Sequence, residues 1–253
     1  MPLSGRAPRL TPRTPLREGS AAFLDHLDAW MDQRPELTLS AAGCAVVVVD
    51  LVHGFVDEGP LASSRVAGLV PQISSDVRQF AACGGRWLCI CEDAHPPDSP
   101  EFLAFPPHCL ENTRSSRSVP ALVEAAALPG LDTTWIRKAT ITPQDAGLLS
   151  WAHAAVGALP PDRALVVAGD VTDLCVYQTA MALRLWANRP PVAREIGRLR
   201  VVVGLEGVQT YHLEVDAARA AGVLPHDGDL HHAVFAHHLA LNAVEVVSHV
   251  QWI

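Results

Sequence analysis

Three side chains suited to nucleophilic chemistry stand where predicted strands end. Asp50 follows four consecutive valines in VVVVD, Lys138 closes TTWIRK, and Cys175 lies just beyond RALVVAGD. A thiol nucleophile needs a base and an electrostatic stabiliser nearby, and a carboxylate and an ammonium group would supply them. The set therefore indicates covalent catalysis by Cys175, with Asp50 and Lys138 beside it.

Each of these residues also has a structural explanation when it is taken alone. Asp50 would cap or fix a loop, because an unpaired carboxylate next to a buried strand is costly. Lys138 would be a surface lysine, and Cys175 would be a small buried hydrophobe. The catalytic interpretation rests on finding all three at strand ends.

The segment GDVTDLCVYQTA gives Cys175 a specific local setting. Thr172 or Asp173 is expected to cap a helix that begins near Leu174. In the first turn of such a helix, the N–H groups and the dipole favour a thiolate and provide donors for an oxyanion. The apolar face of this helix is predicted to comprise Leu174, Tyr177, Met181 and Leu185.

The segment EDAHPPDSPEFLAFPPHC offers a set of metal-ligand side chains. Asp93 and His95 are two residues apart at a strand end and therefore point the same way. Glu101 follows on a loop, and Pro106–Pro107 restrict the backbone before His108. One Asp, one Glu and two His suit zinc, iron(II) or manganese. The alternative is a loop of acids and histidines that holds no metal.

The remaining cysteines and the C-terminal histidines are interpreted as structural. Core positions are predicted for Cys44, Cys83, Cys89 and Cys91, which lie in or next to apolar runs, while Cys109 stays unassigned. The six cysteines have no regular spacing and do not indicate a disulfide framework. Surface or packing positions are predicted for His226, His231, His232, His237, His238 and His249.

Short apolar runs alternate with helical patterns along the chain. The runs are mostly apolar rather than alternating, as in strands buried on both faces. This order predicts right-handed βαβ units and a three-layer α/β/α, Rossmann-like fold with a mostly parallel sheet. Sites in such sheets lie beyond the carboxyl ends of the strands. The roughly six strands are predicted at 44–52, 86–94, 133–138, 163–170, 198–205 and 243–250.

Composition and charge exclude several classes of function. The chain is 49% hydrophobic and 18% charged with a net charge of −8, which argues against a nucleic-acid binder. No apolar stretch approaches the roughly 20 residues that cross a bilayer, and no secretory apolar segment is present. We therefore predict a cytoplasmic protein that binds neither nucleic acid nor membrane.

The beginning of the chain differs from the rest. Residues 1–40 are predicted to form an N-terminal arm, which is largely disordered over 1–20 and carries a short helix after it. Four arginines, four prolines and the lack of any acid before Glu18 support this interpretation. The arm would reach over a partner subunit or act as a targeting peptide.

From about residue 43 to its end, the chain resembles the isochorismatase-like cysteine hydrolases, and among them the nicotinamidases. VVVVDLVHGF is similar to the first strand of that family, RKATIT to its lysine segment and GDVTDLCVYQTA to its nucleophile loop. The resemblance implies an isochorismatase-like hydrolase domain over 41–253 with Asp50, Lys138 and Cys175 as catalytic residues. It further implies an oxyanion hole from the N–H groups of Val171 and Cys175, and a cis peptide bond between Asp170 and Val171.

DAHPPDSPEF and FPPHC are similar to the metal loop of the nicotinamidases. They imply one divalent metal ion, most simply zinc, with iron or manganese as alternatives, on Asp93, His95, Glu101 and His108. The family also implies two aromatic walls for the substrate ring, Phe55 and Phe105. The chain departs from the family in Val52-His53-Gly54, in Phe105 and in Asp170, where an apolar residue is common.

The resemblance implies a nicotinamidase, a homo-oligomer that hydrolyses nicotinamide to nicotinate and ammonia through a cysteine thioester. Two alternatives stay open. The first is a related cysteine hydrolase that acts on another small amide or on isochorismate. The second is a non-catalytic relative that keeps the fold and binds a metal.

Overall fold

A computed structural model of the chain describes residues 19–253. The first eighteen residues, where most of the disordered arm is predicted, lie outside the described part. The chain forms two compact units, one that ends at Gln33 and a second that comprises Arg34–Ile253. In the first unit, helix α1 (Ala21–Asp32) forms where the spacing of FLDHLDAWMDQ predicts a helix.

The second unit is built around a parallel sheet, which confirms the predicted fold class. Six strands form it in the order β4-β3-β2-β5-β6-β7, and every neighbouring pair is parallel. They are β2 (Cys44–Val49), β3 (Trp87–Asp93), β4 (Asp132–Lys138), β5 (Ala164–Asp170), β6 (Arg200–Gln209) and β7 (Glu245–Val247). The apolar runs become strands because the sheet is covered on both faces, and all six residues of β2 are buried.

The helices of the second unit connect these strands in the expected βαβ alternation. They are α2 (His53–Val56), α3 (Ser64–Ala67), α4 (Leu69–Ala82), α5 (Pro120–Ala126), α6 (Leu148–Ala158), α7 (Tyr177–Ala187), α8 (Pro190–Ile196), α9 (Val215–Ala221) and α10 (Gly228–Leu241). Helices α4 and α5 pack on one face, with Val46 and Val48 of β2 among their core neighbours. Helices α6 and α7 also contact the sheet. None of the helices that the structure describes is long and apolar enough to cross a membrane.

A second, two-stranded sheet was not predicted. Strand β1 (Leu37–Leu39) pairs in parallel with β8 (Val250–Trp252). The run at 243–250, predicted as one strand, is divided between β7 and β8. Strands of three residues carry too short an apolar pattern to be recognised from periodicity.

The strand order brings four polar strand ends to one edge of the sheet. Asp50 follows β2, Asp93 ends β3, Lys138 ends β4 and Asp170 ends β5. Asp93 and Lys138 are directly paired in register, so their side chains leave the same face side by side. The fold thus gathers acids and a lysine from four neighbouring strands.

The close approach of β5 to β2 depends on Gly169. Its φ is +122°, and a Cβ atom there would overlap the carbonyl oxygen of Val49 and lie 2.7 Å from its nitrogen. Only glycine can therefore occupy this position without moving the strand that carries Asp50.

We predict that Gly169→Ala lowers the free energy of unfolding by at least about 3 kcal/mol, because strained φ and steric overlap add. Gly157→Ala is the matched control, since Gly157 lies in α6 with open space around it, and it should stabilise by about 0.5–1 kcal/mol. Urea unfolding of both variants measures the difference. Equal free energies of unfolding for the two variants would show that the close approach of β5 to β2 does not depend on Gly169.

Candidate active site

The ammonium group of Lys138 is the centre of a buried charge cluster. Its Nζ lies 2.8 Å from Oδ2 of Asp50, 2.7 Å from Oδ1 of Asp93 and 3.7 Å from the sulfur of Cys175. Lys138 is 2% exposed and Asp50 is fully buried. One cation therefore contacts carboxylates at the ends of two strands and the thiol in the loop after a third strand.

The protonation of these groups follows from their burial and mutual contacts. Burial raises the pKa of Asp50 to about 7, although Lys138 opposes the shift, and the Asp93 carboxylate adds to it. Burial lowers the pKa of Lys138, but Asp50, Cys175 and Asp93 outweigh it and raise the pKa well above its usual value. Lys138 is therefore charged, while Asp50 can exchange a proton near neutral pH.

The expected thiolate at Cys175 is wrong for the resting protein. Removal of the thiol from water raises its pKa well above the usual value, although Lys138 lowers it. The hydrogen bond between the thiol and Asp50 also raises the pKa of Cys175 and lowers that of Asp50. Both effects favour the neutral thiol form of Cys175.

The loop that carries Cys175 also differs from the predicted capped helix. Thr172–Val176 form a π-helical turn, and α7 begins only at Tyr177. Neither Thr172 nor Asp173 caps it. Thr172 Oγ1 lies 2.8 Å from Nδ1 of His232, whereas the carboxylate of Asp173 accepts a hydrogen bond from Thr210 and contacts His226. Tertiary contacts occupy the side chains that were assigned to local capping.

The buried face of α7 differs from the predicted one. Leu185, assigned to the apolar face, is 59% exposed. The buried residues of the helix are instead Thr179, Ala180, Leu183, Trp186 and Ala187.

A second cluster of polar side chains adjoins the first through Asp93. Oδ2 of Asp93 lies 2.8 Å from Nε2 of His95 and 3.2 Å from Nε2 of His108. Oε1 of Glu101 is 3.8 Å from the first nitrogen and 3.9 Å from the second. Ligand atoms of Asp93, His95 and His108 all lie within 4.8 Å of one another, so these three residues can hold a divalent metal ion.

The contacts around this cluster fit a metal site. Nδ1–H of His108 donates to the carbonyl of Pro106 at 2.8 Å, which leaves Nε2 as the nitrogen that would bind a metal ion. Nδ1 of His95 lies 3.3 Å from the hydroxyl of Ser99. Such partners on the second nitrogen orient imidazole ligands. Burial opposes ionisation of Asp93, but the Lys138 charge outweighs it and lowers the pKa of Asp93, so the carboxylate is ionised.

Both clusters open into one pocket of about 540 Å³, counted with its opening to solvent. Its lining is largely apolar and aromatic with a few polar groups, as in small-molecule sites. The peptide bond between Asp170 and Val171 is cis, as the resemblance implies. The lining includes Phe55, Phe105, Asp93, Glu101, His108, Val171 and Cys175, together with Leu61, Val66, Ile141, Asp170, Leu174 and Tyr211.

Comparison with known proteins agrees with the resemblance. Nicotinamidase 1 of Arabidopsis thaliana is 26% identical over 249 residues, which cover 87% of this chain and 92% of that protein. An isochorismatase-like hydrolase from Alkaliphilus metalliredigens superposes with a TM-score of 0.56 at 18% identity, over 82% of this chain and 94% of the other. The chain is thus similar in sequence to that nicotinamidase and shares the fold of the isochorismatase-like hydrolase.

A solved pyrazinamidase of Pyrococcus horikoshii in complex with zinc shares the same fold. Its TM-score is 0.58 at 18% identity, over 81% of this hydrolase and 98% of the pyrazinamidase. No family model matches the chain.

Sequence reasoning missed the histidine that holds the loop of Cys175. His226 was assigned to the surface or to packing, but its Nε2 lies 2.8 Å from the buried carboxylate of Asp173. Its ring stacks on Tyr211, a pocket residue, with centroids 4.0 Å apart. The pKa of Asp173 is lowered and that of His226 raised, in each case against the effect of burial, because the two groups attract each other. Their separation of 53 residues left no sequence signal.

The other cysteines of the hydrolase agree with their structural assignment. Cys44, Cys89 and Cys91 are buried, Cys83 is partly buried, and all six cysteines are free thiols. Cys109, left unassigned from the sequence, is buried with a φ of +42°.

We predict that Lys138→Met lowers the free energy of unfolding of the hydrolase by about 3–5 kcal/mol, because it leaves two buried carboxylates without a counter-charge. Arg137→Met is the matched control: Arg137 is exposed and lies 3.7 Å from Glu92, so its loss should cost less than about 1 kcal/mol. Denaturant unfolding at pH 8 compares the two. A similar cost for both would mean that Asp50 and Asp93 are stabilised by something other than Lys138.

Proposed function

We propose that this hydrolase is a nicotinamidase, which converts nicotinamide and water to nicotinate and ammonia. The observation that carries the proposal is the shared pocket: Cys175, next to the Lys138 ammonium that pairs with Asp50, lies on one side, and an Asp-His-His cluster lies on the other. The first arrangement suits amide hydrolysis through a thioester. The second suits recognition of a ring nitrogen by a metal ion.

The catalytic roles follow from the contacts of Asp50, Lys138 and Cys175. Asp50 takes the thiol proton as the sulfur attacks the amide carbon, and the carbonyl oxygen becomes an oxyanion. Backbone N–H groups of Val171 and Cys175 stabilise that oxyanion. Asp50 then gives the proton to the nitrogen, the C–N bond breaks and ammonia leaves.

The thioester is hydrolysed by the same groups in reverse roles. Asp50 takes a proton from water as the water oxygen attacks the thioester carbon, and the C–S bond breaks. The proton returns to the sulfur of Cys175, and nicotinate is released. Lys138 stays charged throughout and stabilises the ionised forms of Asp50 and Cys175 through its contacts at 2.8 and 3.7 Å.

The ring of the substrate is held by the opposite side of the pocket. Phe55 and Phe105 flank the place where it would lie, since both line the pocket beside His108. Asp93, His95, Glu101 and His108 would hold a divalent metal ion, zinc in this proposal with iron or manganese as alternatives. When bound, the ion supplies a Lewis acid for the pyridine nitrogen, directly or through water.

The proposal extends to assembly and location. We infer a homo-oligomer and a cytoplasmic protein, on the resemblance to the nicotinamidases and on the composition of the chain. Sedimentation of the purified full chain tests the first inference.

The decisive experiment measures ammonia release from nicotinamide. We expect Cys175→Ala to lower the rate at least roughly 10³-fold, because the nucleophile is lost. Cys83→Ala is the control, since Cys83 is a free cysteine whose thiol contacts the carbonyl of Trp252, outside the pocket. Activity of Cys175→Ala close to that of the control would exclude the thioester route.

Metal removal forms the second arm of the same experiment. Treatment with a chelator should lower ammonia release, and one added divalent metal should restore it. Ammonia release that the chelator does not change would give Asp93, His95, Glu101 and His108 a structural role in the loop. If the folded protein releases no ammonia, other small amides and isochorismate are the next substrates to test. Inactivity on all of them would favour a non-catalytic metal-binding relative.

We predict an acid limb in the pH profile of kcat/KM. Asp50 must be ionised to accept the thiol proton, and its pKa is raised to about 7. The rate should therefore be highest above pH 7 and fall about tenfold per pH unit below it. Asp57→Asn, which alters an exposed carboxylate outside the pocket lining, should keep this limb. A flat profile between pH 5 and 8 would contradict the role of Asp50 as base.

A further inference from the structure

Asp170 is a buried carboxyl group that the proposed mechanism does not use. It is the last residue of β5, its exposure is 1%, and it lines the pocket that contains Cys175. Neither carboxyl oxygen has a hydrogen-bond partner among the described residues. Asp50 and Asp93, the other buried acids at this edge of the sheet, are both paired with Lys138.

An unpaired buried carboxyl group costs stability, because it loses its hydrogen bonds to water and gains none in return. An apolar side chain of similar size would avoid that cost at the end of a buried strand. The presence of such a group beside a nucleophile points to a hydrogen-bond partner that the substrate brings into the pocket.

The surroundings of Asp170 favour its neutral form. Burial raises its pKa well above the usual value, and the Asp50 and Asp93 carboxylates raise it further, while Lys138 opposes the shift. A neutral carboxylic acid carries one O–H donor and one carbonyl acceptor side by side. A primary carboxamide presents the complementary pair, a carbonyl oxygen and an N–H group.

We propose that Asp170 hydrogen-bonds the carboxamide group of the substrate and makes the pocket selective for primary amides over esters. This inference rests on the proposed nicotinamidase function and adds a specificity-determining residue to it. Methyl nicotinate offers the carbonyl oxygen but no N–H group, so only the amide satisfies both polar atoms of Asp170. Sites that hydrogen-bond a substrate N–H discriminate strongly against analogues that lack it.

The test compares nicotinamide with methyl nicotinate as substrates of the full-length enzyme. Asp170→Val removes both hydrogen-bonding atoms, and Asp170→Asn keeps one donor and one acceptor. We expect the ratio of kcat/KM for amide over ester to fall at least about tenfold in Asp170→Val. Asp170→Asn should keep most of the ratio, whatever its absolute rate.

Thermal unfolding separates this role from a structural one. Because Asp170→Val removes an unpaired buried polar group, its Tm should equal or exceed that of the wild type. Asp170→Ala is a smaller apolar variant that serves if the valine does not fit. A lowered Tm with both substrates slowed equally would assign Asp170 to the fold and overturn the proposal.

The remaining outcomes are also decisive. An active wild type whose amide-over-ester ratio is unchanged in Asp170→Val overturns the role of Asp170 and leaves the proposed function intact. A folded wild type that releases no ammonia from nicotinamide overturns the proposed function, and the role of Asp170 falls with it.

Discussion

The pairing of one buried ammonium group with two carboxylates is the constraint on which the site depends. Lys138 contacts Asp50 and Asp93 at 2.8 and 2.7 Å in the protein interior. Two carboxylates so close to each other would repel, and burial alone would protonate both. Lys138 does not affect the two acids equally. The pKa of Asp93 is lowered, whereas that of Asp50 stays raised to about 7. Asp93 is held as an anion, and Asp50 can exchange a proton near neutral pH.

This inequality links the two halves of the pocket. Asp93 directs Oδ1 to Lys138 and Oδ2 to the histidines, so one carboxylate belongs to both clusters. Lys138 is the only lysine in the sequence, and the other strongly basic residues are all arginines. An ammonium group is a compact charge with three donors, one for each of the two carboxylates and the thiol, whereas a guanidinium is a larger planar fork of donors. The rare residue type therefore stands where its geometry is required.

The parts of the fold that could be predicted are those with a repeated pattern. Long apolar runs predict β2 to β6 because burial on both faces of a parallel sheet demands them, and polar residues that end such runs must meet at one edge. The two-stranded sheet and the π turn could not be predicted, since neither carries a periodic signal. The helix cap at Thr172 or Asp173 was wrong because local propensity was overruled by contacts with His232, Thr210 and His226, which lie far away in sequence.

The same tertiary contacts bear on how Cys175 would act as the nucleophile of the proposed mechanism. A capped helix would have stabilised a thiolate before the substrate arrives, but the loop forms a π turn instead, and burial raises the pKa of the Cys175 thiol. In the proposed mechanism, transfer of the thiol proton to Asp50 accompanies the attack, so the anion forms only where an electrophile is present. Asp173, two residues before Cys175, is held by Thr210 and His226, which fixes the turn that places the sulfur 3.7 Å from the Lys138 ammonium. In this proposal, a rigid turn that positions the thiol activates Cys175 in place of a lowered thiol pKa.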